Sequence, residues 1–151
     1  FNIISIINNV FEMLEIQADK KGITLFLDPT NKKINVKGDQ EKIHQVLTNL
    51  IENSIKYGKD SGTTEVSVED ITDNKVIIRI TDNGNGIQKM HFNRLFERFY
   101  RIDNSGSRSS GGSGLGLAIV KHIIDAHNEK IYVESDFGIG SEFSFTLEKL
   151  N

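Results

Sequence analysis

Apolar residues recur at steps of three and four through the first twenty positions: Ile3, Ile7, Val10, Phe11, Leu14 and Ala18. That spacing lays them along one face of a helix, and Gly22 ends the pattern. The same rhythm returns in Ile43, Val46, Leu47, Leu50, Ile51 and Ile55, with Asp39 placed to cap the helix start and Gly58 to stop it after Tyr57. A third helix is expected from about Gly114 to Ala126. Elsewhere the period shortens to two. Ile23 to Leu27 and Ile34 to Val36 read as short strands around a Pro-containing loop. Thr64 to Ile71 and Lys75 to Thr81 read as a strand pair joined by Thr72-Asp73-Asn74. Lys130 to Ser135 and Ser141 to Leu147 form a second pair, with a glycine-containing turn between them. Asp82 to Ser113 shows neither period, apart from the aromatic cluster Leu95-Phe96-Glu97-Arg98-Phe99-Tyr100.

Helices mixed with antiparallel strand pairs imply an α+β fold, a two-layer sandwich with one sheet faced by helices on one side. Regular strand–helix alternation, the mark of a doubly wound nucleotide fold, is missing. A length of 151 residues fits a single domain spanning 1–151. The net charge of −3, without a long basic run, argues against a nucleic-acid surface. Without cysteine there are no disulfides or thiolate metal sites, which is compatible with a reducing cytoplasm. No apolar run approaches the roughly 18 residues that span a bilayer. The chain opens at Phe1 inside a helical pattern, so it reads as a domain excised from a longer protein.

Several polar positions stand out against this frame. Asn49, Asn53 and Lys56 fall within about 60° of one another on the second helix, at the border of its apolar face. An amide oxygen suits magnesium and a lysine suits phosphate, although such a stripe can also simply face solvent. Asp82-Asn83-Gly84-Asn85-Gly86-Ile87 follows a strand directly. A carboxylate there can accept from an exocyclic amine, and the glycines let backbone pass close to a flat ligand; a plain turn is the alternative. Gly111-Gly112-Ser113-Gly114-Leu115-Gly116-Leu117 runs into a helix, whose free N–H groups can hold phosphate oxygens. The Ser-, Gly- and Arg-rich stretch from Asn104 to Gly112 has the composition of a mobile lid. Phe96 and Phe99 read as core packing, whereas Tyr100 and Arg101 stand at the edge of that stretch. The four histidines, His44, His91, His122 and His127, form no metal-ligand spacing.

In this order the pieces resemble the catalytic domain of sensor histidine kinases, in the superfamily that also holds DNA gyrase, a heat-shock chaperone and mismatch-repair ATPases. His44 to Tyr57 looks like the N box, Asp82 to Ile87 the first glycine box, and Leu95 to Arg101 the F box. Gly112 to Leu117 looks like the second glycine box, and Gly138-Ile139-Gly140-Ser141 like the closing glycine turn. The resemblance implies the Bergerat ATP-binding fold, a mixed, mostly antiparallel sheet with three helices on one face. It implies ATP and Mg2+ as ligands. Asn53 would hold the metal with Asn49 beside it, and Asp82 would take the adenine amine. Tyr57 and Ile87 would border the base, with Gly84 and Gly86 in the same loop. Lys56, Tyr100 and Arg101 would approach the phosphates, and Gly112, Gly114, Leu115, Gly116 and Leu117 would wrap them.

The implied activity is transfer of the γ-phosphoryl of ATP to a histidine on a separate dimerisation domain of the same parent, with a response regulator downstream. The resemblance further implies a cytoplasmic domain, monomeric when isolated, of a parent anchored in a bacterial inner membrane. No histidine of the chain matches the acceptor box, a His followed by an acidic residue on a long helix. ATP-hydrolysing relatives carry a glutamate where this chain has Asn49, and an amide is no general base for water. Ser54 stands where the family usually has Ala, and His127-Asn128-Glu129 where it often has His-Gly-Gly. A nucleotide-binding module without transfer, or an ATPase or serine kinase of another branch, are the alternative readings.

Overall fold

The computed structural model describes residues 1–28, 32–102 and 114–150. Three helices, α1 (Ile3–Lys20), α2 (Gln40–Tyr57) and α3 (Gly116–Ala126), cover one face of a sheet built from β1 (Thr24–Asp28), β2 (Thr63–Ile71), β3 (Lys75–Asp82), β4 (Ile131–Asp136) and β5 (Gly140–Glu148). The strand order is β1-β2-β3-β5-β4. β1 and β2 are parallel, linked by the crossover through α2, and every other pair is antiparallel. The expected mixed, mostly antiparallel sandwich is therefore present. No described helix is long and apolar enough to cross a membrane.

Local chemistry accounts for the element ends. The Asn2 side chain accepts from the Ile4 N–H and starts α1, and the Asp39 carboxylate accepts from the Lys42 N–H and starts α2. The apolar face read for α2 is buried throughout, from Ile43 to Ile55. It meets Val66, Ile78, Ile80, Phe143, Phe145 and Leu147 from the inner face of the sheet. α3 starts later than its apolar pattern indicates. Gly114 lies at φ +78°, a left-handed conformation no helix accommodates, so the first turn opens at Gly116.

Ile34 to Val36 does not join the sheet as a strand. Asn35 bridges Asn2 and Val36 bridges Lys149, so its few backbone groups are divided between the start of α1 and the end of β5. Part of the long irregular stretch folds into a 3-10 helix at Lys89–Arg94. Phe96 does pack inward, edge-on to Phe143 with ring centroids 6.3 Å apart, but Phe99 is exposed at φ +66°. The core reading thus fails for Phe99, whose backbone is turned by its bond to Gly114 rather than by burial of its ring.

Candidate functional site

The C-terminal half of α2, the end of β3 and the entry to α3 enclose one cavity of about 730 Å3. That volume is within the range of small-molecule sites, roughly 300–1,000 Å3. Asn49, Asn53, Lys56 and Tyr57 line it from α2. Asp82, Gly86 and Ile87 line it from the loop after β3, and Tyr100 and Arg101 from the aromatic segment. Gly114, Leu115, Gly116 and Leu117 complete it at the start of α3. Gly112 and the expected lid from Asn104 to Gly112 lie outside the described residues. Gly84 is the exception among the rest. It is buried behind the wall, where a Cβ would fall 2.5 Å from the Tyr57 carbonyl oxygen. Its lack of a side chain serves contact between α2 and the loop.

Asp82 is held by its neighbours. Its Oδ1 accepts from the Gly84 N–H at 2.9 Å and from the Ser141 N–H at 3.3 Å. Burial pushes its pKa above the usual carboxylate value, and the bonds from Gly84, Ser141 and Ser54 oppose that rise. The turn between β4 and β5 is laced onto the same loop. The Gly138 N–H donates to the Asn85 carbonyl at 2.6 Å, and the Ile87 N–H to Ser135 Oγ at 2.7 Å. Gly86 sits against this turn so tightly that a Cβ would lie 2.2 Å from the Asp136 carbonyl oxygen. The closing glycine turn therefore shapes the cavity through the Asp82 loop, and it contributes Phe137 and Ser141 to the lining.

The opposite wall is arranged differently. Among the described residues no side chain caps the start of α3, and the first N–H groups of a helix have no intrahelical acceptors. A Cβ on Gly116 would meet nothing within 4 Å, so no contact of the described chain demands glycine there. Such a helix end favours an anion. Asn49 Nδ2 donates to the Gly116 carbonyl at 3.2 Å and ties α2 to this turn. The Lys56 ammonium lies 5.2 Å from the Tyr57 ring centroid, and the Arg94 guanidinium 4.5 Å from that of Tyr100. Tyr100 also hydrogen-bonds His91 through its hydroxyl.

Residues 38–151 match the family described as histidine kinase-, DNA gyrase B- and HSP90-like ATPases. The chain belongs to this family. It is 39% identical over 142 residues, 93% of its length, to the sensor protein kinase WalK of Staphylococcus aureus, and it spans 34% of that sequence. The nucleotide-free catalytic domain of histidine kinase ThkA superposes with a TM-score of 0.84 at 29% identity, covering 99% of this chain and 93% of that one. ThkA is also known in complex with the response regulator protein TrrA. Full-length ShkA, solved in complex with AMPPNP, gives a TM-score of 0.87 at 26% identity, covering 100% of this chain and 31% of that one. Within the family the chain is thus placed among catalytic domains of sensor histidine kinases.

The departures from the histidine-kinase pattern have structural answers. Asn128 takes φ +58°, the left-handed position that a glycine fills most easily and that Asn tolerates. Glu129 is buried, paired with Lys75 Nζ at 2.7 and 2.8 Å and accepting from Thr146 Oγ1 at 2.8 Å. Lys21, which no local pattern singles out, donates to the carbonyls of Ile55, Lys56 and Gly58 at 3.0, 2.9 and 2.8 Å. It caps the end of α2 and fixes the turn that carries Lys56 and Tyr57. For the metal, the described residues contain no group of three or more His, Cys, Asp or Glu placed to hold an ion. Magnesium beside phosphates needs only one or two protein oxygens, and the Asn53 and Asn49 amides on one wall fit that demand.

Proposed function

We propose that this domain binds ATP with magnesium in the cavity and transfers the γ-phosphoryl group to a histidine on a dimerisation domain of the same parent protein, which then serves a response regulator. The observation that carries the reading is the content of one cavity: a partly buried acceptor carboxylate, Asp82, together with Lys56, Arg101 and the start of α3. A purine nucleotide needs both kinds of wall. Asp82 accepts from the adenine amine, and Tyr57 and Ile87 border the base. Lys56, Arg101 and the N–H groups around Gly116 neutralise the phosphates. Magnesium, when bound, adds charge neutralisation at the phosphate oxygens, with Asn53 as its protein ligand and Asn49 beside it. An acceptor imidazole nitrogen attacks the γ-phosphorus, the bond to the bridging oxygen breaks, and ADP leaves. Water is a poor substitute because Asn49 cannot take its proton.

Thermal unfolding tests the binding step. At a nucleotide concentration 100 times the dissociation constant, magnesium-ATP stabilises by about 2.7 kcal/mol. For a chain of this size that is a rise of roughly 5–11 °C in Tm. An unchanged Tm in millimolar nucleotide with magnesium would sink the proposal.

A further inference from the structure

The segment from Lys89 to Tyr100 folds back so that its start grips its end. Lys89–Arg94 is a 3-10 helix. With three residues per turn, side chains at i and i+3 eclipse one another, which sets His91 and Arg94 on the same side. Both reach Tyr100. The His91 ring nitrogen Nδ1 hydrogen-bonds the Tyr100 hydroxyl, and the two ring centroids lie 5.8 Å apart with the planes tilted by 51°. The Arg94 guanidinium sits over the Tyr100 ring, 4.5 Å from its centroid, and its Nε donates to the Glu97 carboxylate at 3.3 and 3.4 Å. The Tyr100 N–H donates to the Glu97 carbonyl at 3.3 Å. The tyrosine is thus held at its hydroxyl, over its ring and at its backbone.

Tyr100 lines the cavity, whereas His91 and Arg94 stand outside the lining. The residue before it fixes which wall it joins. The Phe99 N–H donates to the Gly114 carbonyl at 2.9 Å, and a Cβ on Gly114 would fall 2.8 Å from the Phe99 Cα. Tyr100 is therefore locked beside the entry to α3, the wall assigned to phosphate, and not the Asp82 wall assigned to the base.

We propose that His91 and Arg94 are positioning residues that clamp Tyr100 before the ligand arrives and so strengthen binding at the phosphate end of the nucleotide. The inference rests on the reading of the cavity as an ATP site. Its physical content is preorganisation. A tyrosine that must be ordered on binding costs affinity, and one already held does not. The two grips act on different parts of the side chain. His91 fixes where the hydroxyl lies, and the Arg94 cation is drawn to the face of the ring. His91 is half-buried and Arg94 exposed, so neither is needed to fill the core.

The test is a set of binding titrations with magnesium-ATP and with adenosine, which shares the base and lacks the phosphates. His91→Ala and Arg94→Met should each weaken magnesium-ATP by about three- to tenfold and leave adenosine unchanged. A role in folding alone would weaken both ligands. His91→Asn keeps a hydrogen-bonding group near the place of Nδ1, and Arg94→Lys keeps a cation over the ring; each should recover most of the loss. Tyr100→Phe separates the grips, because it removes the partner of His91 and keeps the ring under Arg94. In that background His91→Ala should have no further effect, while Arg94→Met should still weaken ATP. If His91→Ala does not fold, Arg94→Met against Arg94→Lys carries the test. Additive losses from His91→Ala and Tyr100→Phe, or a parallel loss of adenosine, would overturn the clamp. So would wild-type ATP affinity in both His91→Ala and Arg94→Met while Asp82→Asn binds weakly, a result that leaves the ATP-site reading standing. A wild-type domain that binds neither ligand overturns that reading and the clamp with it.

Discussion

Two walls of the same cavity use glycine for opposite reasons. At Gly86 a side-chain carbon would fall 2.2 Å from the Asp136 carbonyl oxygen, whereas at Gly116 it would meet nothing within 4 Å. The first glycine is required by the folded chain, since the loop after β3 and the β4–β5 turn meet backbone to backbone. The second stands at a helix start where the described chain leaves room, and its requirement comes from whatever fills that room. A glycine-rich box is therefore not one signal. On the Asp82 wall it builds a tight, preformed acceptor; on the α3 wall it leaves space, within the described chain, beside the helix start.

Breaking the tight wall should have the largest effect. Gly86→Ala combines a backbone clash with φ +71° and should cost on the order of 3 kcal/mol, or roughly 6–12 °C in Tm. Thermal denaturation of the nucleotide-free domain checks this, and a Tm within a degree or two of wild type would show that the contact relaxes. Asp82→Asn should act on the same wall in the other direction. The amide oxygen still accepts from Gly84 and Ser141, and no charge is buried, so the free domain should lose no stability. ATP affinity should nevertheless fall by about 1.5–3 kcal/mol in calorimetry, as the carboxylate acceptor is lost.

The pH dependence of Asp82 follows the same division. Its pKa is raised on folding, so the folded state holds the proton more tightly than the unfolded chain. Its own contribution to stability is therefore lost as pH rises from 3.8 through the raised value. Nucleotide binding requires the anion and should strengthen over the same interval. Denaturant titrations of wild type and Asp82→Asn at several pH values should differ with this sign.

Much of this was readable from periodicity, because it is local. The three helices, the two hairpins and the apolar face of α2 all repeat within a few residues. What periodicity missed depends on distant partners. Lys21 reaches carbonyls 34 to 37 positions away, and nothing around it marks that contact. Ser54 reads as a small residue on a helix, yet its hydroxyl lies 2.7 Å from Thr64 Oγ1 on β2. Gly84 belongs to the right box, but its neighbour is the Tyr57 carbonyl behind the wall rather than the cavity. Ile34 to Val36 has strand composition but finds its partners singly.

Smaller effects sharpen the contrast. Lys21→Met removes three hydrogen bonds from a partly exposed ammonium and should destabilise by about 1–2 kcal/mol, with ATP affinity reduced as the last turn of α2 loosens. Gly116→Ala meets no clash and restricts the unfolded chain, so it should raise stability by about 0.4–1 kcal/mol. If the space beside it belongs to the phosphates, the same variant should bind ATP more weakly. Equal affinity would assign that space to something else.

Phosphoryl transfer in trans is the most direct test of the proposed activity. Radiolabelled ATP is mixed with this domain and with a separate dimerisation domain from the same parent, and the labelled product is challenged with acid and base. Label should appear on the acceptor domain as phosphohistidine, lost in acid and kept in base. It should form more slowly than in a tethered pair, because the encounter is bimolecular. Acid-stable label, or label on this chain alone, would contradict histidine phosphorylation by this domain.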